Sequence, residues 1–352
     1  MACIIKKPTE KAKGVITFTT QERDKVFAVD GDSLQSLIEM KDRWVVGLHH
    51  NWHDYNFRYN PVFDFSMAGP GDLGSSGVPL IPLDACNFIQ PPYFSEEPTK
   101  KIWDVLYVTR AVYFKRLPVF LNTIRKLYDS GKMYRVLLLC AMPPEDIDPS
   151  NLIEMYQSMF SMEERKLFSI ITLEHDYPFT LDHVCLSHFY HSSKVFVHCA
   201  SDERRCRVIA NAVASKLPVV CSSDCASIIP SEYRKEPFLY TVSHDDYATS
   251  IDKALTEYNI DNFSEGASSM FNPNYTSLEL KKYLSNYIGS DDMSDENFNF
   301  HNLDIRLGRH HQVSYGPNKI DTKIKDLIHF VCSDDFNDNF NSNSMDLERS
   351  FI

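Results

Sequence analysis

Residues 195–221 read VFVHCASDERRCRVIANAVASKLPVVC, and this stretch decides the fold. The apolar run 195–199 has the length of a strand. Residues 203–216 then place Cys206, Ile209, Ala210 and Val213 at i, i+3, i+4 and i+7, the spacing of one helix face. A second apolar run, 218–221, follows directly. A helical stretch rather than a hairpin turn separates the two runs, and such crossovers join parallel strands.

The same alternation extends outward in both directions. Strands are expected at 104–109, 136–140, 168–173 and 238–242, and helices at 113–128, 149–160, 181–191 and 245–258. Pro118 predicts a kink in the first of these helices, while Asp148 and Pro149 suit the cap and first position of the second. Strands that are apolar on both faces, separated by helices, indicate a parallel sheet covered on both sides. Residues 102–258 therefore read as an α/β domain. Upstream, strands are expected at 15–19, 25–29, 44–48, 62–67 and 78–83, a helix at 33–40, a flexible loop at 69–77 (GPGDLGSSG) and a Pro-rich linker at 90–101. Downstream, 277–288 and 320–331 read as helices, and 333–344 (SDDFNDNFNSNS) as a low-complexity segment.

The 352 residues suggest two domains, and 43% hydrophobic content is enough for two ordinary cores. A net charge of −12 disfavours nucleic acid as a partner, because an acidic surface repels phosphate backbones. The nine cysteines show no C-x-x-C pair and no regular framework, which suits free thiols in a reducing compartment. The N-terminus lacks a signal-like apolar core, and the longest apolar runs are too short to span a bilayer. The expected location is cytoplasmic, without a transmembrane segment but compatible with peripheral membrane contact.

Ligands of open parallel sheets bind at the carboxyl ends of the strands, where helix N-termini favour phosphate. Three segments supply polar groups there. In VLYVTRAVYFKR (105–116), Arg110 ends a strand and Lys115 and Arg116 follow, so these cations either converge on a pyrophosphate or form a solvated surface. In 200–220, Glu203, Arg207 and Asn211 fall at i, i+4 and i+8 as a polar stripe, with Ser201 or Asp202 as helix cap; this is either a sugar and ribose contact or an ordinary solvated face. In LEHDYPFT (173–180), Glu174 and His175 could help cover a base.

In sequence these blocks resemble the nucleotide-binding half of the GT-B glycosyltransferases, specifically the retaining family-four type. VPLIPLDACNF resembles the family's linker, with Asp84 near its Asp. VLYVTRAVYFK resembles the strand-Gly-Arg-to-Lys opening, with Thr109 at the Gly. SHFYHSSKVFVHCASDE and NAVASKLPVVCSS resemble the two blocks around the Glu-x7-Glu signature, and IIPSEYRKEPFLYTVSHDDYATSIDKAL its closing strand and helix. Glu203 fits the first Glu, Asn211 replaces the second, and Lys216 stands at a usual Gly. The resemblance covers residues 78–258. It implies two Rossmann-like domains flanking a cleft: an acceptor-side domain at 1–98, a nucleotide-sugar domain at 99–262, a segment at 263–332 that returns to the first domain, and a tail at 333–352.

The implied activity is metal-independent transfer, with retention, of a sugar from a UDP- or GDP-sugar to a lipid- or protein-linked glycan. Arg110, Lys115 and Glu203 are the implied catalytic residues, and Ser201, Asp202, Arg204, Arg207, Asn211, Glu174 and His175 line the donor site. Asn211 leaves open a non-catalytic binder on the same scaffold, and a sugar-nucleotide epimerase of the same fold is the other alternative. His49, His50 and His53 (LHHNWHD) lack the spacing and carboxylate partner of a zinc site. They read as a loop or as sugar contacts, and no metal or other cofactor is expected. Cys199, Cys206 and Cys221 read as core thiols.

Overall fold

A computed structural model describes residues 3–19, 31–50, 62–69, 79–95, 99–142, 149–173, 181–201, 203, 205–229, 231–242, 246–259, 268–288, 293–294, 297–300, 303 and 307. The expected strand at 25–29, the helix at 320–331, the segment 333–344 and nearly all of the Gly-rich loop lie outside them, as does Asp148. The chain divides into two compact units, Met1–Phe88 with Pro273–Ile352, and Ile89–Asn272.

The first unit holds a five-stranded sheet in the order β1-β2-β3-β4-β5, namely Cys3–Lys6, Gly14–Thr19, Trp44–His49, Phe65–Met67 and Leu80–Ile81. β1 runs antiparallel to β2 and the other pairs are parallel. The sheet is tight enough to require glycine at position 47, where a Cβ would lie 2.3 Å from the Phe65 ring. Helix Pro273–Ile288 completes the core, with Leu280 and Leu284 packed among Ile5, Val15, Phe65 and Ile81. The chain then meets the β1 edge: Lys6 bridges Phe298, and the Asn299 N–H donates to the Ile5 carbonyl at 2.9 Å.

The second unit is a six-stranded, wholly parallel sheet. Its strands are β6 (Trp103–Arg110), β7 (Val136–Ala141), β8 (Phe168–Leu173), β9 (Ser193–His198), β10 (Val219–Ser222) and β11 (Leu239–Val242), in the spatial order β11-β10-β9-β6-β7-β8. Counted within the unit this is 6-5-4-1-2-3, the doubly wound Rossmann order. Alternate residues feed two cores. Val105, Tyr107, Leu138 and Val197 face helices Leu117–Asp129, Pro149–Met159 and Tyr247–Thr256. Leu106, Leu139 and Phe196 face helices His183–His191 and Arg207–Ala214.

Two expected helices are corrected. The stretch 113–128 is a 3-10 turn, Tyr113–Lys115, followed by helix Leu117–Asp129, with Arg116 left-handed between them at φ 54°. Pro118 therefore starts a helix instead of kinking one, since at the second position its missing N–H leaves no bond unmade. The helix expected at 203–216 is confined to Arg207–Ala214.

Candidate functional site

The order of the second sheet reverses between β6 and β9. At such a switch point the chain leaves the two neighbouring strands in opposite directions and opens a crevice at their carboxyl ends. β6 ends on Arg110 and β9 on His198.

The segments leaving these strands are bound to each other. After β6 the 3-10 turn folds Lys115 back beneath the strand end, where the Tyr107 hydroxyl donates to the Lys115 carbonyl at 2.6 Å. After β9 the Ser201 N–H donates to the Phe114 carbonyl at 2.9 Å. Glu203 thereby sits in the turn before helix Arg207–Ala214, so it does not share a helical stripe with Arg207 and Asn211. Cys206 precedes that helix without a side-chain cap, and the cap expected from Ser201 is not formed.

Lys115 and Glu203 meet in an ion pair, and both are buried. His198, fully buried, places its Nε2 2.7 Å from the same Glu203 Oε2. The Cys206 Sγ lies 3.4 Å from that ring nitrogen. Burial raises the Glu203 proton affinity, but the hydrogen bonds and charges of His198 and Lys115 outweigh it and hold the carboxyl at about 2. Burial pushes His198 the other way, below the ordinary histidine range, and the Lys115 charge adds to this against the Glu203 hydrogen bond. The consistent state is an ionised Glu203 facing a cationic Lys115 and a neutral His198 that donates through Nε2–H. Burial also pushes the Cys206 thiol well up, so it is protonated.

His198, Glu203 and Cys206 bring three metal-ligating atoms within 4.8 Å of one another. The spacing does not fit zinc. Two ligands at the usual zinc–nitrogen and zinc–oxygen lengths stand about 3.4 Å apart, whereas Nε2 and Oε2 are at hydrogen-bond distance, 2.7 Å. The Lys115 ammonium already supplies the positive charge.

The remaining sequence candidates are dispersed. Arg110 is exposed at the strand end and Arg207 is half-buried on the first turn of its helix. Asn211 is only 3% exposed and contacts the Tyr190 hydroxyl, and its Oδ1 has no hydrogen-bond partner among the described residues. In the first unit, His49 and His50 are buried, and the His49 Nε2 accepts from the Ala85 N–H at 3.4 Å. Asp84 is likewise a backbone cap, accepting from the Cys86 N–H at 2.7 Å. His53, Glu174, His175, Asp202 and Arg204 lie outside the described residues. His198 was missed by the sequence reading, since it closes an apolar strand. Its signal is an ionisable residue as the last position of a central strand next to the switch point.

Among the described residues no helix is long and apolar enough to cross a membrane. The architecture is that of solved glycosyltransferases. The pneumococcal O-GlcNAc transferase GtfA, crystallised with UDP and GlcNAc, superposes with a TM-score of 0.51 at 11% identity, over 75% of this chain and 55% of that one. TarM gives 0.51 at 13% identity over 72% and 56%, and OtsA 0.50 at 12% over 77% and 72%. The chain thus spans about half the length of the first two. No protein-family model matches the chain, and no curated protein matches it. Its fold class is GT-B, α/β with two Rossmann-like units. Within that class the chain is a divergent example, sharing 11–13% identity with these three structures.

Proposed function

We propose that the protein is a glycosyltransferase that takes a sugar from a UDP- or GDP-sugar and passes it to a glycan acceptor in the cytoplasm, with retention and without a metal. The observation that carries this reading is the contact between Lys115 and Glu203 at the switch point. Two residues that the sequence resemblance places in the donor site, from separate crossovers, meet where this sheet order binds nucleotides. The exposed Arg110 and the Lys115 ammonium suit a diphosphate whose charge grows as it leaves. The Glu203 carboxylate suits sugar hydroxyls. Glycosyltransferases of the same fold, one crystallised with UDP and GlcNAc, support the donor class.

One observation favours a second reading, a non-catalytic nucleotide-sugar binder. Asn211 stands where the resemblance expects an acid for the ribose, and it is turned into the core beside Tyr190.

A thermal-shift panel of UDP-, GDP- and CMP-sugars tests both readings. A ligand at about a hundred times its Kd stabilises by about 2.7 kcal/mol. Stabilisation with slow donor hydrolysis, weakened in Arg110→Ala, supports the transferase. Binding without turnover supports the binder, interconversion of free nucleotide sugars an epimerase, and silence across the panel removes the whole proposal.

A further inference from the structure

The cluster at the switch point contains a residue that the proposed function leaves unused. His198 is fully buried, so it cannot touch a ligand itself. Its ring stacks on Phe196 at 6.3 Å between centroids and meets the edge of Tyr107 at 5.9 Å, which fixes its plane. Its Nε2 lies 2.7 Å from Glu203 Oε2, the same oxygen that binds the Lys115 ammonium. Both bonds of the carboxylate are therefore made by one oxygen. Among the described residues Oε1 has no hydrogen-bond partner, and the side chain keeps 11% of its surface open to solvent.

We infer that His198 is a positioning residue: by holding Oε2 together with Lys115, it turns Oε1 of Glu203 outward as the single acceptor offered to a ligand hydroxyl. A carboxylate anchored at one oxygen accepts from O–H or N–H donors and repels anions, so the matching ligand group is a hydroxyl of a polyol such as a sugar ring. This deepens the proposed function and rests on it for the identity of the ligand, though not for the geometry. The arrangement is also selective about its own chemistry. A neutral imidazole donates one bond to Glu203 without adding a second positive charge beside Lys115, so the carboxylate keeps its charge and the lysine keeps its partner.

Two variants separate the roles. His198→Phe keeps the ring and removes the donor, while His198→Gln places an amide N–H near the position of Nε2. The first measurement needs no ligand. In protein labelled with 13C at the Glu carboxyls, the Glu203 signal, identified by its loss in Glu203→Gln, is followed against pH. His198→Phe is expected to shift the Glu203 midpoint upward, and His198→Gln to restore it. An unchanged midpoint in His198→Phe overturns the inference. The second measurement compares nucleotide sugars with the bare nucleoside diphosphates. His198→Phe is expected to weaken the sugar-bearing ligand about tenfold and leave the diphosphate within twofold. Equal weakening of both overturns the positioning role in favour of a general loss of packing. If Glu203 shifts as expected while the wild-type protein binds no nucleotide sugar, the positioning role stands and the functional reading falls. Should His198→Phe not fold, His198→Asn, whose amide is too short to reach Oε2, takes its place in both comparisons.

Discussion

Lys115 and Glu203 lie 88 positions apart in the chain and form an ion pair whose side chains are 8% and 11% exposed. Taking two charges out of water is unfavourable, and removing one partner leaves the other charge buried alone. Lys115→Met and Glu203→Gln are each expected to lose about 3 kcal/mol of stability, read from urea unfolding. The double variant should lose clearly less than the sum of the two. Strict additivity would mean that the pair is not formed in solution.

The cluster should also show in the pH dependence of stability. His198 faces Glu203, Lys115, Cys206 and Tyr107, and stays neutral in the fold because burial and the Lys115 charge depress its proton affinity. The unfolded chain protonates that imidazole near pH ~6.5, so its contribution is present above that pH and is lost as the pH falls below it. Glu203, held at about 2, contributes stability present above its unfolded value of 4.5 and lost as the pH falls toward 2. His198→Gln should therefore lose less stability than wild type between pH 7 and 5, with the acid limb of Glu203 retained. Parallel curves for the two proteins would contradict the neutral, buried state of His198.

Lys216 occupies a left-handed backbone conformation, φ 57°, just after helix Arg207–Ala214. A side chain there strains against the carbonyl by about 1–2 kcal/mol, and glycine does not. Lys216→Gly should raise stability by up to about 1 kcal/mol, after the loss of the lysine's own contacts and glycine's larger unfolded entropy. A calorimetric Tm a few degrees higher is the expected result, and a fall would mean that the side-chain contacts outweigh the strain.

Gly47 is expected to tolerate a side chain less well than Gly14, where the nearest atom to an added Cβ is at 2.6 Å. A Cβ there meets the Phe65 ring at 2.3 Å, and Phe65 is fully buried with Tyr287 packed at 5.3 Å between centroids, so the ring has little room to retreat. Gly47→Ala should destabilise by about 1–3 kcal/mol, and Phe65→Leu in the same chain should recover part of the loss. Chemical denaturation of the single and double variants measures both steps.

The second sheet was legible because its central strands are buried on both faces, so Val136 to Ala141 and Val195 to His198 stand out as apolar runs between helices. Helix boundaries were less legible. Glu203, Arg207 and Asn211 fit helical spacing, yet that spacing holds equally for a turn followed by a helix, and the bond from Ser201 to Phe114 keeps Glu203 in the turn. β1 escaped notice because Cys3–Lys6 is short and ends on a lysine that is nonetheless buried, its ammonium donating to the carbonyls of Lys7 at 3.0 Å and Lys13 at 3.2 Å. His198 escaped because period and composition report what a strand buries and say nothing of what its last residue faces.

The core of the first unit draws on both ends of the chain, with Ile5, Val15 and Phe65 from one side and Leu280, Leu284 and Phe298 from the other. The residues between, Ile89–Asn272, form the other unit from one continuous segment. On the ribosome that inner segment has all its strands before Pro273 is made, and domains generally fold as units during synthesis. The residues of β1 to β5 must wait for helix Pro273–Ile288 before their own interior can close. A chain cut short at residue 272 would keep the six-stranded sheet intact and leave the apolar residues of β1 to β5 open to solvent.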